Sequence, residues 1–378
     1  MRIARCWLAM IVGAWICAAA MAAFADPPNL LLDRPFRDRP HPLETALLRG
    51  LDWLAEQQND DGSWDFDRGY ANAGTWRSKC GATAVALLAF ETTYQTHKSG
   101  SYKDHVRNGF LFLDDQIRHT PEGNYVFGQN EDATWHAVAT LAMCEAYVMT
   151  NDRYLDSTVE KALDHIVATQ DEKTGGWAAK PGLPLDLGVT AWNFAALESG
   201  RRAYLDVPLR SVRRVDTFLG RMQVAEGAKY RRACGQPPDA ASTTAGLLCR
   251  IRLGWKEENP ALQAGVARLR ETGPFNNDIL YSYFATRIMW YHLEHWQAWR
   301  QAVDDRLITA QSTTGDEIGS WYNPKDARAR EGGRLFQTAL SIVVLNTHQR
   351  LGLTCGILGD HRPLVDRDRS ADAPFPLD

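Results

Sequence analysis

Three side chains in this 378-residue sequence could exchange protons with a bound molecule: Asp186, Asp278 and His136. A shielded carboxyl group can act as a general acid, and an imidazole, with an ordinary pKa of about 6.5, exchanges protons near neutral pH. Each residue also admits a structural interpretation. An aspartate that precedes a helix can cap it, and a histidine inside an apolar stretch can be a hydrogen-bonded core residue.

Aromatic residues close to these three in the sequence could surround a ligand. Aromatic faces stabilise cations and line apolar pockets, and we predict that five of them bind substrate: Trp135, Trp192, Tyr281, Tyr283 and Trp290. The alternative is that they fill the protein interior.

Motifs of other catalytic classes are absent from the sequence. It contains no phosphate-binding loop of the Walker type, no GxSxG element and no HExxH element. His292 and His295 have a metal-like spacing, but we interpret them as surface or capping residues. We therefore predict neither a metal nor a cofactor.

The sequence repeats one short pattern, in which a glutamine near a helix end is followed by a glycine-containing turn and then by Trp or Tyr. The clearest copy is RGLDWLAEQQNDDGSW at residues 49–64, and looser copies cover 116–125, 170–177, 223–230 and 311–321. Repeats at such intervals are typical of stacked helical units. We predict that the pattern is structural, with glutamine amides bonded to free backbone groups and tryptophans packed over the turns, at Gln57, Trp64, Gln170, Trp177, Gln311 and Trp321.

About twelve predicted helices fall into two alternating sets. Six are amphipathic with charged outer faces, and cover residues 43–58, 102–117, 154–170, 209–223, 260–270 and 295–311. The other six are apolar on nearly every side, and cover residues 80–94, 134–149, 188–199, 241–253, 278–292 and 335–348. Because a helix that is apolar on every side must be surrounded, we predict an all-α fold, an (α/α)6 toroid in which six outer helices enclose six inner ones.

A threonine next to an alanine recurs near the start of each predicted inner helix: Thr83, Thr140, Thr190, Thr244, Thr286 and Thr338. We expect the small residues to allow close packing and the hydroxyl groups to bond back to their own helices. In such a ring the inner helices are parallel, so their N-termini and free N–H groups open on one face. We therefore expect the candidate site at that face.

The copy at 49–64 resembles the QW repeat of squalene-hopene and oxidosqualene cyclases, and the hairpins resemble the toroid of the terpenoid cyclase and protein prenyltransferase superfamily. The chain is most similar to secreted squalene-cyclase-like proteins of planctomycete type, with prenyltransferase/squalene oxidase repeats. The matching pieces are WHAVATLA (135–142), GGW (175–177), DLGVTAW (186–192), TAGLLCR (244–250), DILYSYFAT (278–286), GSW (319–321) and GGRL (332–335). The resemblance implies the toroid fold and a link to isoprenoid substrates.

Two functional motifs of that superfamily are altered or missing. The position that resembles the proton-donating DxDDT motif of class II cyclases keeps Asp186 and Thr190, but Gly188 and Val189 replace the two later acids. A lone carboxyl group is a weak acid for protonating an alkene. The Asp-x-Cys element that feeds the zinc site of prenyltransferases is not found.

The N-terminus has the features of a secretory signal peptide. Arg2 and Arg5 precede an apolar run at residues 7–24, and residues 23–25 (AFA) have the form of a cleavage site. We predict a signal peptide at residues 1–25 and an exported protein; the alternative is an uncleaved membrane anchor. The composition further predicts an extended segment at 26–41, one toroid domain at 42–355 and a disordered tail at 356–378.

Charge and cysteine content narrow the list of partners. The formal charge is −4 and becomes about −6 without the two arginines of the signal segment, which argues against nucleic acid as a partner. Five of the seven cysteines follow the signal segment, and three of these lie in apolar helical stretches. We predict buried thiols rather than a disulfide framework.

Three hypotheses of function follow. The first is an exported toroid whose apolar cavity binds or acts on an isoprenoid lipid or another hydrophobic small molecule, with Asp186, Asp278 and His136 as acid and base. The second is a non-catalytic toroid that binds or scaffolds at the cell envelope. The third is a toroid that acts on carbohydrate, because the same architecture also serves polysaccharide lyases.

Overall fold

The computed structural model of the protein describes residues 41–128 and 131–347. The predicted signal peptide and disordered tail lie outside the described residues, as does all but the last residue of the predicted extended segment. None of the helices in the described ranges is both long and apolar enough to cross a membrane.

Twelve α-helices occur in the described part of the chain, and they alternate between two sets. The outer helices are α1 (Pro42–Glu56), α3 (Lys103–Asp115), α5 (Asp156–Ala168), α7 (Leu209–Met222), α9 (Pro260–Thr272) and α11 (Leu293–Ala310). The inner helices are α2 (Lys79–Thr92), α4 (Ala133–Thr150), α6 (Leu187–Arg202), α8 (Ala240–Arg252), α10 (Ile279–Trp290) and α12 (Gly333–Leu345). Each inner helix contacts the next, and α12 contacts α2. The ring is therefore closed, and the predicted (α/α)6 toroid is confirmed.

Burial separates the two sets as the sequence periodicity predicts. Inner helix α2 is buried at every position from Cys80 to Thr92. Outer helix α7 buries a single stripe at helical spacing, formed by Ser211, Val212, Val215, Phe218, Leu219 and Met222. The inner helices are surrounded by protein, while the outer helices cover them with one face and meet solvent with the other.

Two short hairpins interrupt the helical pattern. Strands β1 (Ile117–His119) and β2 (Tyr125–Phe127) pair antiparallel in the connection from α3 to α4. Strands β3 (Gln223–Val224) and β4 (Lys229–Tyr230) pair antiparallel between α7 and α8. Both occur where the sequence pattern has its looser copies, and the helix prediction did not foresee them.

The glutamines of three turns each bond to two carbonyl groups. The side-chain Nε2 of Gln170 donates to Gly175 O in its own turn and to Ser211 O in α7, both at 2.9 Å. Gln311 does the same with Gly319 O and with Ala46 O in α1, both at 2.8 Å. The predicted Gln57 does not have this role in the first turn. Its neighbour Gln58 does, since its Nε2 donates to Gly62 O and His105 O at 2.9 Å.

The second bond of each glutamine joins the end of one outer helix to the next outer helix around the ring. The Gln311 bond joins α11 to α1 and so closes the outer layer. The three glycines have positive φ, and a Cβ added to Gly62, Gly175 or Gly319 would lie 2.0 to 2.4 Å from a carbonyl oxygen of the neighbouring outer helix. Only glycine fits such a close approach.

The tryptophans that follow these glycines tie the turn to both layers. The indole Nε1 of Trp64, Trp177 and Trp321 donates to Leu54 O, Ile166 O and Leu307 O near the ends of the preceding outer helices. Their backbone N–H groups donate to the hydroxyl groups of Thr83, Thr190 and Thr338 on the inner helices, at 3.0 to 3.1 Å. The expectation that the threonines bond back to their own helices is correct for Thr140 and Thr244. It is wrong as a general rule, because four threonines, Thr83, Thr190, Thr286 and Thr338, accept a hydrogen bond from a tryptophan N–H group.

The cysteines of the described part are free thiols. Cys80, Cys144 and Cys249 are buried and Cys234 is exposed. Burial raises the pKa of the Cys80 and Cys249 thiols to about 12, so both stay protonated and act as apolar packing groups. The prediction of buried thiols is confirmed for the three inner-helix cysteines, while Cys355 lies outside the described residues.

Replacement of Gly175 by alanine should destabilise the protein much more than the same change at Gly182. Both glycines lie between α5 and α6 with φ of +83° and +84°, but a Cβ at Gly175 meets Arg214 O at 2.0 Å, while a Cβ at Gly182 has nothing within 4 Å. We expect Gly182→Ala to lower the free energy of unfolding by about 1 kcal/mol, for the left-handed backbone alone. Gly175→Ala should cost roughly 2 kcal/mol more, from the clash.

Chemical denaturation of the two variants measures this difference directly. Equal losses in both would show that the close approach to α7 does not contribute to stability.

Candidate binding site at the mouth of the ring

Four consecutive inner helices begin with an aspartate cap on the same face of the ring. Asp132 Oδ1 accepts from Thr134 N at 2.7 Å, and Asp239 Oδ1 accepts from Ser242 N at 2.8 Å. Asp186 Oδ1 accepts from Gly188 N at 2.7 Å and from Val189 N at 3.1 Å, and Asp278 Oδ1 accepts from Leu280 N at 3.0 Å. The capping interpretation of Asp186 and Asp278 is therefore confirmed. Because the inner helices are parallel, these carboxyl groups gather at one face, which we call the mouth.

A cavity of about 480 Å³ opens at the mouth. Its rim is polar and is formed by the four capping aspartates with Thr134, Ser242, Arg232 and Arg328. Its walls are apolar and are formed by Trp76, Val85, Trp135, Val138, Val189, Trp192, Ala241, Ala245, Leu280, Phe284 and Phe336. The helices contribute to this division, since the caps lie at the helix starts and most of the apolar side chains belong to the helical residues that follow.

The structure gives Asp186 donors on both carboxyl oxygens. Its Oδ1 is held by the two backbone N–H groups of α6, and its Oδ2 accepts from Arg232 Nε at 2.5 Å. Both carboxyl oxygens therefore accept hydrogen bonds from the protein, whereas protonation of an alkene requires an acid that can donate a proton to it. The two residues that replace the missing acids, Gly188 and Val189, also line the cavity.

Asp278 lies beside a carboxyl group that the sequence did not single out, that of Asp326. Asp326 Oδ2 accepts from Ile279 N at 2.7 Å, so both aspartates bind the start of α10. Burial raises the pKa of Asp278. Burial and the neighbouring Asp278 raise the pKa of Asp326 to about 6. Asp326 lies in an irregular connection, where no repeat or periodicity marks it.

His136 does not lie at the mouth, which corrects the predicted arrangement of His136 opposite the two aspartates. Its Nδ1 accepts from Phe127 N at 3.4 Å, and its Nε2 lies 3.2 Å from Ala162 O on α5. It occupies the place that Thr83, Thr190 and Thr338 have in other repeats, and Phe127 rather than the predicted Tyr125 occupies the place of the tryptophan. Burial, assisted by His165, lowers the pKa of His136 to about 3.

Two of the five predicted aromatic residues line the cavity, Trp135 and Trp192. Tyr281 instead bonds through its hydroxyl group to Gly273 O at 2.9 Å, and the ring of Trp290 packs against Trp296 at 5.2 Å. Tyr283 lies toward the opposite end of the ring, with the Arg287 guanidinium 4.4 Å from its ring centre.

The sequence prediction missed three aromatic wall residues, Trp76, Phe284 and Phe336. The ring of Trp76 lies 5.0 Å from that of Trp135 and 5.1 Å from that of Phe336, in edge-to-face contacts. Phe284 and Phe336 lie one and a half turns or less into α10 and α12, on the inner side. A helical projection of the inner set identifies them, whereas Trp76 in a loop carries no such signal.

The opposite end of the ring is narrow and charged. Arg202 on α6 pairs with Glu145 on α4 at 2.7 Å, and Arg252 on α8 pairs with Glu198 on α6 at 2.5 Å. The cavity there measures about 60 Å³. The mouth is therefore the wider of the two ends.

No group of three or more His, Cys, Asp or Glu side chains in the described ranges is arranged to hold a metal ion. His292 and His295 fall at the junction of α10 and α11, as predicted. Their partners are acids: His295 Nε2 lies 2.8 Å from Glu294, and His292 Nδ1 lies 3.9 Å from Glu257.

Solved structures with similar folds come from unrelated enzyme classes. A GH76 mannosidase of Bacteroides thetaiotaomicron VPI-5482 aligns with a TM-score of 0.61 and 10% identity over 82% of this chain and 99% of its own. The type II terpene cyclase MstE of Scytonema aligns with a TM-score of 0.58 and 14% identity over 82% and 99%. An α-amylase of Clostridium perfringens aligns with a TM-score of 0.56 and 10% identity over 80% and 97%. No protein-family model and no curated protein matches the sequence.

These likenesses show the fold alone, because the identities are low. The α/α toroid is common to enzymes that act on carbohydrates and to enzymes that act on terpenoids, so the function of this chain must be argued from its own mouth.

Two substitutions of Asp186 should separate capping from charge. Asp186→Ala removes the cap and should lower the free energy of unfolding by about 1 kcal/mol, whereas Asp186→Asn keeps a good capping side chain and should lose less. Denaturation in urea measures both. If the two variants are equally unstable, the pairing with Arg232 rather than the cap stabilises the start of α6.

The buried His136 should make the fold sensitive to acid. Its folded pKa of about 3 lies below the unfolded value of about 6.5, so the unfolded chain binds the extra proton between these values and stability falls as the pH falls from 6.5 to 3. His136→Gln should reduce the slope of unfolding free energy against pH in this window by up to about 1.4 kcal/mol per pH unit. The exposed His119→Gln is the control and should leave the slope unchanged.

Proposed function

We propose that the protein binds an amphiphilic isoprenoid molecule at the mouth, without cyclising it. The observation that carries this proposal is the division of the cavity into a charged rim and aromatic walls. An apolar chain placed against the walls removes aromatic and aliphatic surface from water, while a polar head group stays at the rim with the arginines and aspartates.

The size of the cavity agrees with such a ligand. Pockets for small molecules usually measure about 300 to 1,000 Å³, and the mouth cavity measures about 480 Å³. Trp135 and Trp192 come from inner helices α4 and α6, and Phe284 and Phe336 come from α10 and α12. Walls built on helices that pack in a closed ring keep their shape when the ligand is absent.

The hydrogen bonds of Asp186 favour binding without cyclisation. Class II chemistry would need a strong acid here, but the carboxyl group caps α6 and pairs with Arg232. Gly188 and Val189 supply no further carboxyl group. The mouth therefore has apolar walls that suit an isoprenoid, while the carboxyl group of Asp186 is bonded to α6 and to Arg232.

The structural neighbours support this ligand class without deciding it. Variants of the terpene cyclase MstE bind geranylgeranyl dihydroxybenzoate as substrate, with a TM-score of 0.57 for one of them. A second candidate function is carbohydrate binding, because tryptophan faces together with carboxyl groups at the rim also suit sugars, and the mannosidase and amylase share the fold. The aliphatic side chains in the depth of the cavity, such as Val85, Val138 and Val189, favour the isoprenoid.

We also propose that the protein is exported and acts at the cell envelope. Support comes from Arg2, Arg5, the apolar run at residues 7–24 and the cleavage-site form of residues 23–25. Isoprenoid lipids of the envelope would then be the available ligands. N-terminal sequencing of the protein from the cell fraction that contains it tests cleavage after Ala25.

Calorimetric titration with farnesol and with mannotriose tests the binding proposal. We expect farnesol to bind and mannotriose to give no heat. Trp192→Ala should weaken farnesol binding at least tenfold, because a buried aromatic side chain contributes about 1.5 to 3 kcal/mol. Trp296→Ala, on outer helix α11 and outside the cavity, is the matched control and should bind normally.

Mass spectrometry of lipids retained from an envelope extract identifies the natural ligand class. Recovery of a polyprenyl species supports the proposal. Binding of mannotriose instead of farnesol would replace it by the carbohydrate function, and equal binding by the Trp192 and wild-type proteins would move the site away from the mouth.

A further inference from the structure

We propose that Asp278 and Asp326 form a carboxyl pair that shares one proton, and that this proton sets how strongly the mouth binds a negatively charged head group. The inference rests on the proposed function and deepens it. It names the charge of the ligand that the mouth distinguishes and the condition that changes this preference.

The two carboxyl groups are held side by side by the start of α10. Ile279 and Leu280 are the first two residues of the helix, and their N–H groups donate to Asp326 Oδ2 at 2.7 Å and to Asp278 Oδ1 at 3.0 Å. Adjacent N–H groups of one helical turn are only a few ångströms apart, so the carboxyl groups that accept from them are close neighbours. Two such carboxyl groups repel each other when both are ionised, which favours a shared proton.

The pair lies between the mouth and a second cavity, whose lining is mixed polar and apolar. Asp278 lines both cavities, while Asp326 lines the second one, which lies beside α10 and measures about 80 Å³. Asn277, Asn323 and Gln337 also face this second cavity. A cavity of this size has room for a water molecule at its polar side, and such a water would exchange protons with the pair.

Asp326 also fixes the position of the rim cation Arg328. Its Oδ1 accepts from Arg328 N at 2.8 Å, and Ala327 N donates to Asn277 O at 2.7 Å. These bonds hold residues 326–328 against the start of α10, where the side chain of Arg328 lines the mouth together with Asp278. The titrating pair and the cation that would meet a head group therefore belong to one connected unit.

The other ionisable groups near the pair come from three elements. Asp239, at the start of α8, raises the pKa of Asp278, while Arg328 lowers it. Arg306 of α11 and Tyr322 of the following connection line the second cavity. Burial is the largest effect on both aspartates and raises both pKa values. The raised pKa values of both aspartates agree with a pair of neighbouring carboxyl groups that holds one proton in mildly acidic solution.

The sign of the effect on binding follows from the charges. At a pH above that at which the pair loses its shared proton, two negative charges lie near Arg328 and offset its attraction for an anion. Below it, one negative charge remains and the mouth is more positive. A head group with a fixed negative charge should therefore bind more tightly as the pH falls through about 6, while a neutral head group should be unaffected.

Farnesyl sulfate and farnesol are a matched pair of probes, because they share the chain and differ in the charge of the head group. We expect the dissociation constant of farnesyl sulfate to fall about fivefold between pH 7.5 and pH 5, for one unit of charge near the head group. The constant for farnesol should not change. In Asp326→Asn only the Asp278 carboxyl group remains and no second carboxylate repels it, so the affinity for farnesyl sulfate should become independent of pH in this range.

Two further variants serve as controls. Asp304 on α11 also has a pKa raised by burial but does not line the mouth, so Asp304→Asn should keep the pH dependence. Arg328→Gln should weaken the binding of farnesyl sulfate at every pH, and the pair should still titrate but at a higher pH, because Arg328 lowers the pKa of both aspartates. This second variant keeps the test informative if Asp326→Asn does not fold.

Carboxyl-carbon NMR of the wild-type protein follows the pair without any ligand. One aspartate proton that is lost near pH 6 supports the pair, even if neither probe binds and the proposed function fails. A pair that is fully ionised at pH 5, or an unchanged pH dependence in Asp326→Asn, would overturn the inference while leaving isoprenoid binding intact.

Discussion

The architecture depends on one type of interaction, the bond from a turn glutamine to two carbonyl groups. Gln58, Gln170 and Gln311 each join their own turn to the next outer helix. A side-chain amide has two N–H donors, and here one donates to a carbonyl group of its own turn and the other to a carbonyl group of the next outer helix. The glycine of the turn can then approach the neighbouring helix, and the tryptophan reaches both the outer helix behind it and a threonine of the inner helix in front of it.

The functional face follows from where the inner helices begin. Four helices start at the same level with an aspartate cap, so the electrostatic character of the mouth is a product of capping. The carboxyl groups that stabilise the helix ends are the same groups that line the mouth. Arg232 and Arg328 offset part of this negative charge from the connecting loops. In a site built in this way, substitutions in the connecting loops can change the charge of the rim, while the capping aspartates keep the helix ends and the ring stable.

The sequence predicts the helices well because burial imposes strict periodicity on them. The predicted starts and ends fall within a few residues of those observed, and the capping roles of Asp186 and Asp278 follow from position alone.

Contacts between residues that are distant in the sequence could not be predicted from it. Gln58 takes the role assigned to Gln57 because helix geometry, not composition, decides which amide faces the next helix. The sequence could not distinguish His136 from a mouth residue. Its ring takes the place of a threonine hydroxyl group in accepting a backbone N–H, and this is visible only once the N–H of Phe127 is located. Asp326 and Trp76 reach the site from irregular connections, whose paths no local pattern specifies.

The bond between Gln311 and Ala46 spans 265 residues of sequence, and α12 packs on α2 at the same junction. Contacts of such separation form slowly, because a long chain must first lose the entropy of its open state. The circle can therefore be completed only when nearly the entire chain has been synthesised. Until then the first hairpin exposes the apolar side chains that the last two helices cover in the closed ring.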